Sequence, residues 1–282
     1  MVDVNRYRYR LLPPELERLI FETAAELYPE TIPNLLLVAV RVLEWIEPLK
    51  YRTFTLTVDP STCPQFRLLQ QTVKSKPVQF IHDNIRYLLA DQNFPAGSLD
   101  EVLPGCTGVI SLALFHTHPS MVSQLEAIRP QRLSAPIASF FDHDTVDLTL
   151  PLFSSLTHLD AFDVFAASSW SDWSSLALLP VLTHLAFLDL ANLGAEKILA
   201  ACRKLQVLIG MHEEFFAVQT RDDMDPRFLL MVLSTEDYVV DWKIGVQGGM
   251  DFWARADAFV AKRRRGEIEP KSRYWIEDED GI

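Results

Sequence analysis

The feature that most constrains this chain is a word used twice: LTHLDAFD from Leu156 and LTHLAFLD from Leu182. A recurring Leu-x-x-Leu word means a repeated local structure, and a repeated structure cannot bury its apolar face alone. LQVLIGM at Leu205 has the same spacing and FLLMVLS at Phe228 fits it. Walking backwards places further anchors at Leu133, Val109 and Ile85. The steps from Ile85 to Phe228 are then 24, 24, 23, 26, 23 and 23 residues. Helix-like stretches fall between the anchors, at Ser98 to Leu103, Ser120 to Ile128, Ser171 to Leu179 and Ala195 to Cys202.

A period of this size is that of a leucine-rich repeat, roughly 20–29 residues. Each repeat would give one strand to a parallel sheet, with positions +3 and +5 from the anchor pointing inward. Residues at +2, +4 and +6 would then line an open concave face: Tyr87, Leu89, Asp91, Ser111, Ala113, Phe115, His158, Asp160, Phe162, His184, Ala186, Leu188, Val207, Ile209 and Met211. This mixed apolar face, poor in charge, suits recognition of a protein target. The expected target contacts are Tyr87, Phe115, His158, Asp160, Phe162, His184, Leu188, Ile209 and Met211. His158 and His184 share the third letter of LTHL. They are expected on neighbouring strands facing the same side, where one imidazole's pKa should fall and Asp160 could hold one of them charged.

Before the repeats lies LLPPELERLIFETAAELYPE, from Leu11 to Glu30. Pro13 and Pro14 suit a first helical turn, and Glu15 and Glu17 suit its positive end. Leu16, Leu19, Ile20, Thr23, Ala24 and Leu27 have the spacing of a buried stripe, opposite Arg18, Glu22 and Glu26. Phe21, Ala25 and Tyr28 form a second apolar flank that a lone surface helix does not need. A second helix is expected over Leu35 to Ile46, ended by Pro48 and followed by a strand, YRTFTL.

Those residues resemble an F-box. The motifs are Leu12-Pro13-Pro14-Glu15-Leu16, Ile20-Phe21, Leu37-Val38-Ala39-Val40-Arg41 and Leu49-Lys50-Tyr51-Arg52, over about 45 residues. The chain looks like the F-box-like proteins abundant in fungi, and DWKIGVQGGMDFWARADAFVAKRRRGEIE resembles their C-terminal segment. The resemblance implies docking on a Skp-family adaptor of a cullin ubiquitin ligase through Leu12, Pro13, Leu16, Ile20, Phe21, Val38 and Val42. On that reading Phe21 faces the adaptor, while the stripe from Leu16 to Leu27 holds the module together.

The remaining features bound the function. A net charge of −12 disfavours nucleic acid as a partner. The run Leu35 to Val40 is cut short by Arg41 and Glu44, so no membrane span is expected. MVDVNRYRYR has no apolar h-region. Cys63, Cys106 and Cys202 have no metal-binding spacing and read as free, buried thiols of a reducing compartment. The expected location is the cytoplasm, with Lys262-Arg263-Arg264-Arg265 as a nuclear signal or, more plainly, a solvated helix end. His116 and His118 in FHTHP, with Asp142, His143 and Asp144 further on, are the sole hint of a metal-dependent hydrolase; the plainer reading is a loop after a strand. No GxSxG, P-loop or GxGxxG motif occurs.

The expectation is therefore an α/β chain in three parts: an F-box-like helical module at 8–50, an irregular leucine-rich-repeat solenoid at 51–245, and a C-terminal cap helix with a frayed acidic tail at 246–282. It would recognise substrates for an SCF-like ubiquitin ligase, without catalysis, metal or cofactor. The alternative is a repeat-type protein-binding module without the ligase link.

Overall fold

The computed structural model describes residues 12–141, 145–213 and 224–282. The chain divides into two compact units, Met1–Thr53 and Phe54–Ile282.

The first unit is helical. Helix α1 (Pro14–Leu27) opens on the two prolines, with Glu15 and Glu17 in its first turn. The second helix expected from sequence is broken in two, α2 (Ile32–Leu35) and α3 (Val40–Ile46). The break is at Ala39, which is fully extended with φ −163° and ψ 157°. Branched Val38 and Val40 flank it, and such residues resist helical χ1 crowding. The core cluster of this unit is Ala25, Val42 and Ile46, with Phe21, Ile32, Leu35, Leu36, Ala39, Trp45 and Leu49 packed around it.

The second unit is built on one eight-stranded sheet in strict chain order: β1 (Thr53–Leu56), β2 (Tyr87–Ala90), β3 (Ser111–Leu114), β4 (Arg132–Ala135), β5 (His158–Val164), β6 (His184–Leu188), β7 (Val207–His212) and β8 (Phe228–Val232). Every pair from β2 to β8 is parallel. After β1 come α4 (Pro64–Ser75) and α5 (Val78–Asn84); α6 (Met121–Leu125) follows β3 and α7 (Asn192–Ala201) follows β6. The expected helices at Ser98 to Leu103 and Ser171 to Leu179 are instead short 3-10 turns. Their serines, and prolines nearby, favour turns over extended helix.

The register corrects two anchors. Leu88, Leu112, Leu133, Leu159, Leu185, Leu208 and Phe228 are successive partners across the sheet. Leu133 and Phe228 thus hold the +3 place, not the anchor place. The spacing along this row is 24, 21, 26, 26, 23 and 20 residues, by difference of those numbers. The leucine row lies on one face, buried throughout. The other face carries the histidines.

That second face is also covered. Helices α8 (Thr235–Val246) and α9 (Phe252–Arg265) bring Tyr238, Trp242, Phe252, Trp253, Ala256, Phe259 and Val260 into one cluster with Leu89, Ala113, Ala186, Val207, Ile209, Met211, Leu229 and Met231. The segment expected as a terminal cap therefore lies on the sheet. An apolar face in a parallel sheet is normally buried on both sides, and here the chain supplies its own cover. Two side chains and one glycine cap these helices: the Ser234 side chain accepts from Asp237 N–H, the Asp251 side chain accepts from Ala254 N–H, and Gly266, at φ 72°, ends α9 in the left-handed region open to glycine. The acidic tail is tied down. Asp280 accepts from both Arg273 guanidinium nitrogens at 2.6 and 2.8 Å and from Glu277 N–H at 2.9 Å.

Candidate functional site

The histidine pair stands where the repeated word placed it. His158 and His184 are register partners on β5 and β6. Their rings stack at 4.1 Å between centroids, 9° from parallel. Each Nδ1 meets the hydroxyl of its preceding threonine, Thr157 at 2.9 Å and Thr183 at 2.8 Å. Trp253 closes over both, its ring edge-on at 5.2 Å from His158 and 5.7 Å from His184. Asp257 on α9 meets His184 Nε2 at 3.1 Å. Burial, then the neighbouring His184 and Arg132, push the His158 pKa down to about 2. His158 is therefore neutral at any physiological pH.

Two expectations fail here. Asp160 does not serve the histidines: its Oδ2 accepts from the Tyr238 hydroxyl at 2.8 Å. The pair is not an open partner site either, because α9 covers it. Of the nine expected target contacts, Asp160, His184, Ile209 and Met211 are buried, and Tyr87, Phe115, His158, Phe162 and Leu188 are half-buried. The strand alternation was right. The assumption that the face was free was not, since the chain's own Trp242, Phe252, Trp253 and Phe259 occupy it.

One part of that face stays open. At the carboxyl ends of the strands is a pocket of about 300 Å³, lined by Gln92, Phe115, Pro136, Asp160, Phe162, Leu188, Met211, Glu213, Leu233, Ser234, Thr235 and Tyr238. Its shape follows from an irregularity in β5. The register slips between Ala161 and Val164, so that Val164 rather than Phe162 pairs with Leu188. Such bulges re-aim side chains. Here Asp163 accepts from Ile137 N–H at 2.6 Å and Ala138 N–H at 3.3 Å. Phe162 packs against Phe115 at 4.9 Å and Tyr238 at 5.2 Å. At the base, Asp160 is 1% exposed, and burial pushes its carboxyl up to about 7 against the opposing pull of the Tyr238 hydrogen bond. Its Oδ1 has no hydrogen-bond partner among the described residues. Tyr238 is itself held well above the usual phenol range, by burial first and then by Asp160.

The helical unit presents the second candidate surface. Leu12, Leu16, Leu19, Ile20, Leu27, Leu37, Val38 and Val40 are all exposed, from 49% at Leu16 to 84% at Leu37. The inside and outside of α1 are the reverse of those expected. The flank of Phe21 and Ala25 faces the unit's core, while the Leu16, Leu19, Ile20 and Leu27 stripe faces water. Val42, expected at the adaptor, is fully buried. Leu12, Pro13, Leu16, Ile20 and Val38 remain outward.

The other residues singled out by sequence serve local structure. His116 Nε2 meets Gln92 O at 2.9 Å, and His118 Nδ1 meets Ser120 Oγ at 2.7 Å with Asp100 3.5 Å from its Nε2. Asp142, His143 and Asp144 lie outside the described residues. No group of three or more His, Cys, Asp or Glu side chains that could hold a metal occurs among the described residues. In the basic run, Arg263 donates to Phe228 O at 2.8 Å and Asp225 O at 3.3 Å, and Lys262 to Asp280 O. All three cysteines are free and buried, and burial pushes the Cys106 thiol up to about 12 and the Cys202 thiol up to about 11. No helix among the described residues is long and apolar enough to cross a membrane. No protein-family model and no curated protein matches the chain.

Proposed function

We propose that the protein is a substrate-recognition subunit of an SCF-like, cullin-type ubiquitin ligase. Its helical unit docks a Skp-family adaptor, and its sheet unit, read as an irregular leucine-rich-repeat domain, holds a protein target. The observation that carries the adaptor half is the surplus of exposed apolar side chains on the helical unit. Eight leucines, isoleucines and valines face water on a segment of about 30 residues, from Leu12 to Val40. Exposed apolar side chains scattered singly need no explanation; a set this dense marks a docking surface. Four of them, Leu12, Leu16, Ile20 and Val38, stand at positions that the F-box resemblance gives to the adaptor. Burying one such side chain completely is worth roughly 1.5–3 kcal/mol, so a few suffice for a stable contact.

Phe21 and Val42 drop out of the adaptor contact, since both serve the unit's own core. Parallel strands recurring every 20 to 26 residues support the repeat reading. The target is held at the carboxyl-end rim of the sheet, where Phe115, Phe162 and Leu188 remain partly exposed. The test is co-purification of the full chain with a Skp-family adaptor, wild type against Leu16→Glu/Ile20→Glu. Binding should be lost in the double variant with the melting curve unchanged. A wild type that does not bind, or a double variant that binds equally well, removes the adaptor half of the proposal.

A further inference from the structure

The pocket at the carboxyl ends of the strands contains a feature that packing does not account for. Asp160 sits at its base, almost wholly buried, with one carboxylate oxygen bound to Tyr238 and the other without a partner among the described residues. Buried polar atoms are nearly always hydrogen-bonded, so an orphan of this kind needs an explanation. The walls around it are Phe115, Phe162, Leu188 and Met211, an apolar shaft with a single acid at the bottom. The lining is acidic as well as apolar. Besides Asp160 it contains Glu213, and no lysine, arginine or histidine is among its described lining residues. The amino end of α8 also borders it, but Glu236 and Asp237 in that first turn offset the helix's positive end. The location fits too: open α/β sheets bind ligands in the crevice beyond the carboxyl ends of their strands. At about 300 Å³ the pocket is at the small end of the usual range for ligand sites.

We propose that this pocket recognises a primary ammonium group carried on an apolar stem, as in a lysine side chain or a small alkylamine. The ammonium donates to the free Asp160 oxygen. The methylenes lie between Phe115, Phe162, Leu188 and Met211, whose aromatic members also attract a cation. Glu213 at the mouth adds attraction for the approaching charge. The assignment does not depend on adaptor docking, because every residue it uses is in the sheet unit. Variants there leave Leu16 and Ile20 untouched, so this assignment and adaptor docking fail separately; the site shares Phe115, Phe162 and Leu188 with the rim given to the target.

The test is calorimetric titration of the full chain at pH 8, where the Asp160 carboxyl is ionised, with n-pentylamine and with n-pentanol, its uncharged counterpart. The amine should bind saturably and at least tenfold more tightly than the alcohol. Asp160→Asn, which keeps the size and the acceptor for Tyr238 but removes the charge, should weaken amine binding at least tenfold and leave alcohol binding unchanged. If Asp160→Asn does not fold, Leu188→Trp narrows the shaft from its half-exposed wall with the acid intact, and amine binding should again be lost. A short lysine-containing peptide, against its norleucine analogue, separates the two sources of the ammonium. Competition with pentylamine by the lysine peptide alone assigns the site to a protein side chain; amine binding without peptide competition assigns it to a small amine. Equal binding of amine and alcohol, no saturable amine binding, or full amine binding by either variant overturns the proposal.

Discussion

Asp160→Asn should make the sheet unit more stable at pH 8 than at pH 4, each measured relative to wild type. The carboxyl ordinarily titrates near 3.8 and is pushed up to about 7 in the folded protein by burial. Below pH 4 it is protonated in both folded and unfolded chains, and its ionisation contributes nothing. As the pH rises from about 4 to about 7 the unfolded chain releases the proton while the folded one keeps it. Folding stability therefore falls across that window, and the full cost is present above pH 7. A shift of about three units at 1.36 kcal/mol each is on the order of 4 kcal/mol. The groups facing the carboxyl do not blur the window. The Tyr238 phenol, also bonded to Ser134, ionises well above 10, and Asp241 is one turn further along α8. Any cost of the buried Asn amide is the same at every pH. For a unit of this size, 1 kcal/mol moves the melting temperature by about 2–4 °C. The melting difference between variant and wild type should therefore shift by roughly 8–16 °C in the variant's favour between pH 4 and pH 8. Thermal melts followed by circular dichroism at half-unit pH steps give the answer. Parallel curves for the two proteins would refute the buried, raised carboxyl and with it the base of the pocket.

Further outcomes follow from single residues. His158 stays neutral down to about 2 when folded but binds a proton near 6.5 when unfolded, so it costs stability as pH falls below 6.5; His158→Gln should flatten the acid limb of urea midpoints taken from pH 7 to pH 4. Phe21→Glu should destabilise the helical unit by about 1–3 kcal/mol, whereas Leu19→Glu should change it by less than about 0.5 kcal/mol, as read by amide exchange in α1. Asp280→Ala leaves the buried Arg273 guanidinium without its main partner and should lower stability by about 3 kcal/mol in urea unfolding. A Cβ at Gly108 would lie 1.7 Å from the His82 carbonyl oxygen, so Gly108→Ala should lower the melting temperature sharply or yield insoluble protein.

Much of the sheet was legible because its signal is periodic. The word LTHL occurs twice in one register, so the placement of His158 and His184 side by side on neighbouring strands, facing the same side, is legible in the sequence; the stacking of their rings is not. Leu133 and Phe228 fall off the even step because the repeats that lead into them, from Leu112 and from Leu208, are shortened to 21 and 20 residues. An anchor search at an even step slides onto the next leucine. The cover of the histidine face was not legible as such. Phe252, Ala256, Phe259 and Val260 do show the i, i+4, i+7, i+8 spacing of an apolar helical stripe. A stripe says that a helix needs a surface, not which one, and the open face of the sheet was already assigned to a target. Asp160 was picked out for its place beside His158. What makes it unusual, an orphan oxygen under Tyr238, depends on a helix 78 residues away in the chain.

The reversal of α1 has a different cause. Its sequence offers two apolar faces, and periodicity favours the larger, from Leu16 to Leu27. The core of the unit is instead formed at Ala25, against Val42 and Ile46. A small side chain at the crossing lets two short helices approach closely, and the bulky leucines would hold them apart. A unit of about 40 residues has little interior for its surface, so it buries few residues completely. It carries more large apolar side chains than that interior can accept. Selection for stability alone would replace the exposed ones with charge at little cost, since surface changes are usually within about 0.5 kcal/mol. Their number on one small unit is therefore the strongest physical argument that Leu16, Ile20 and Val38 are kept for contact with another protein.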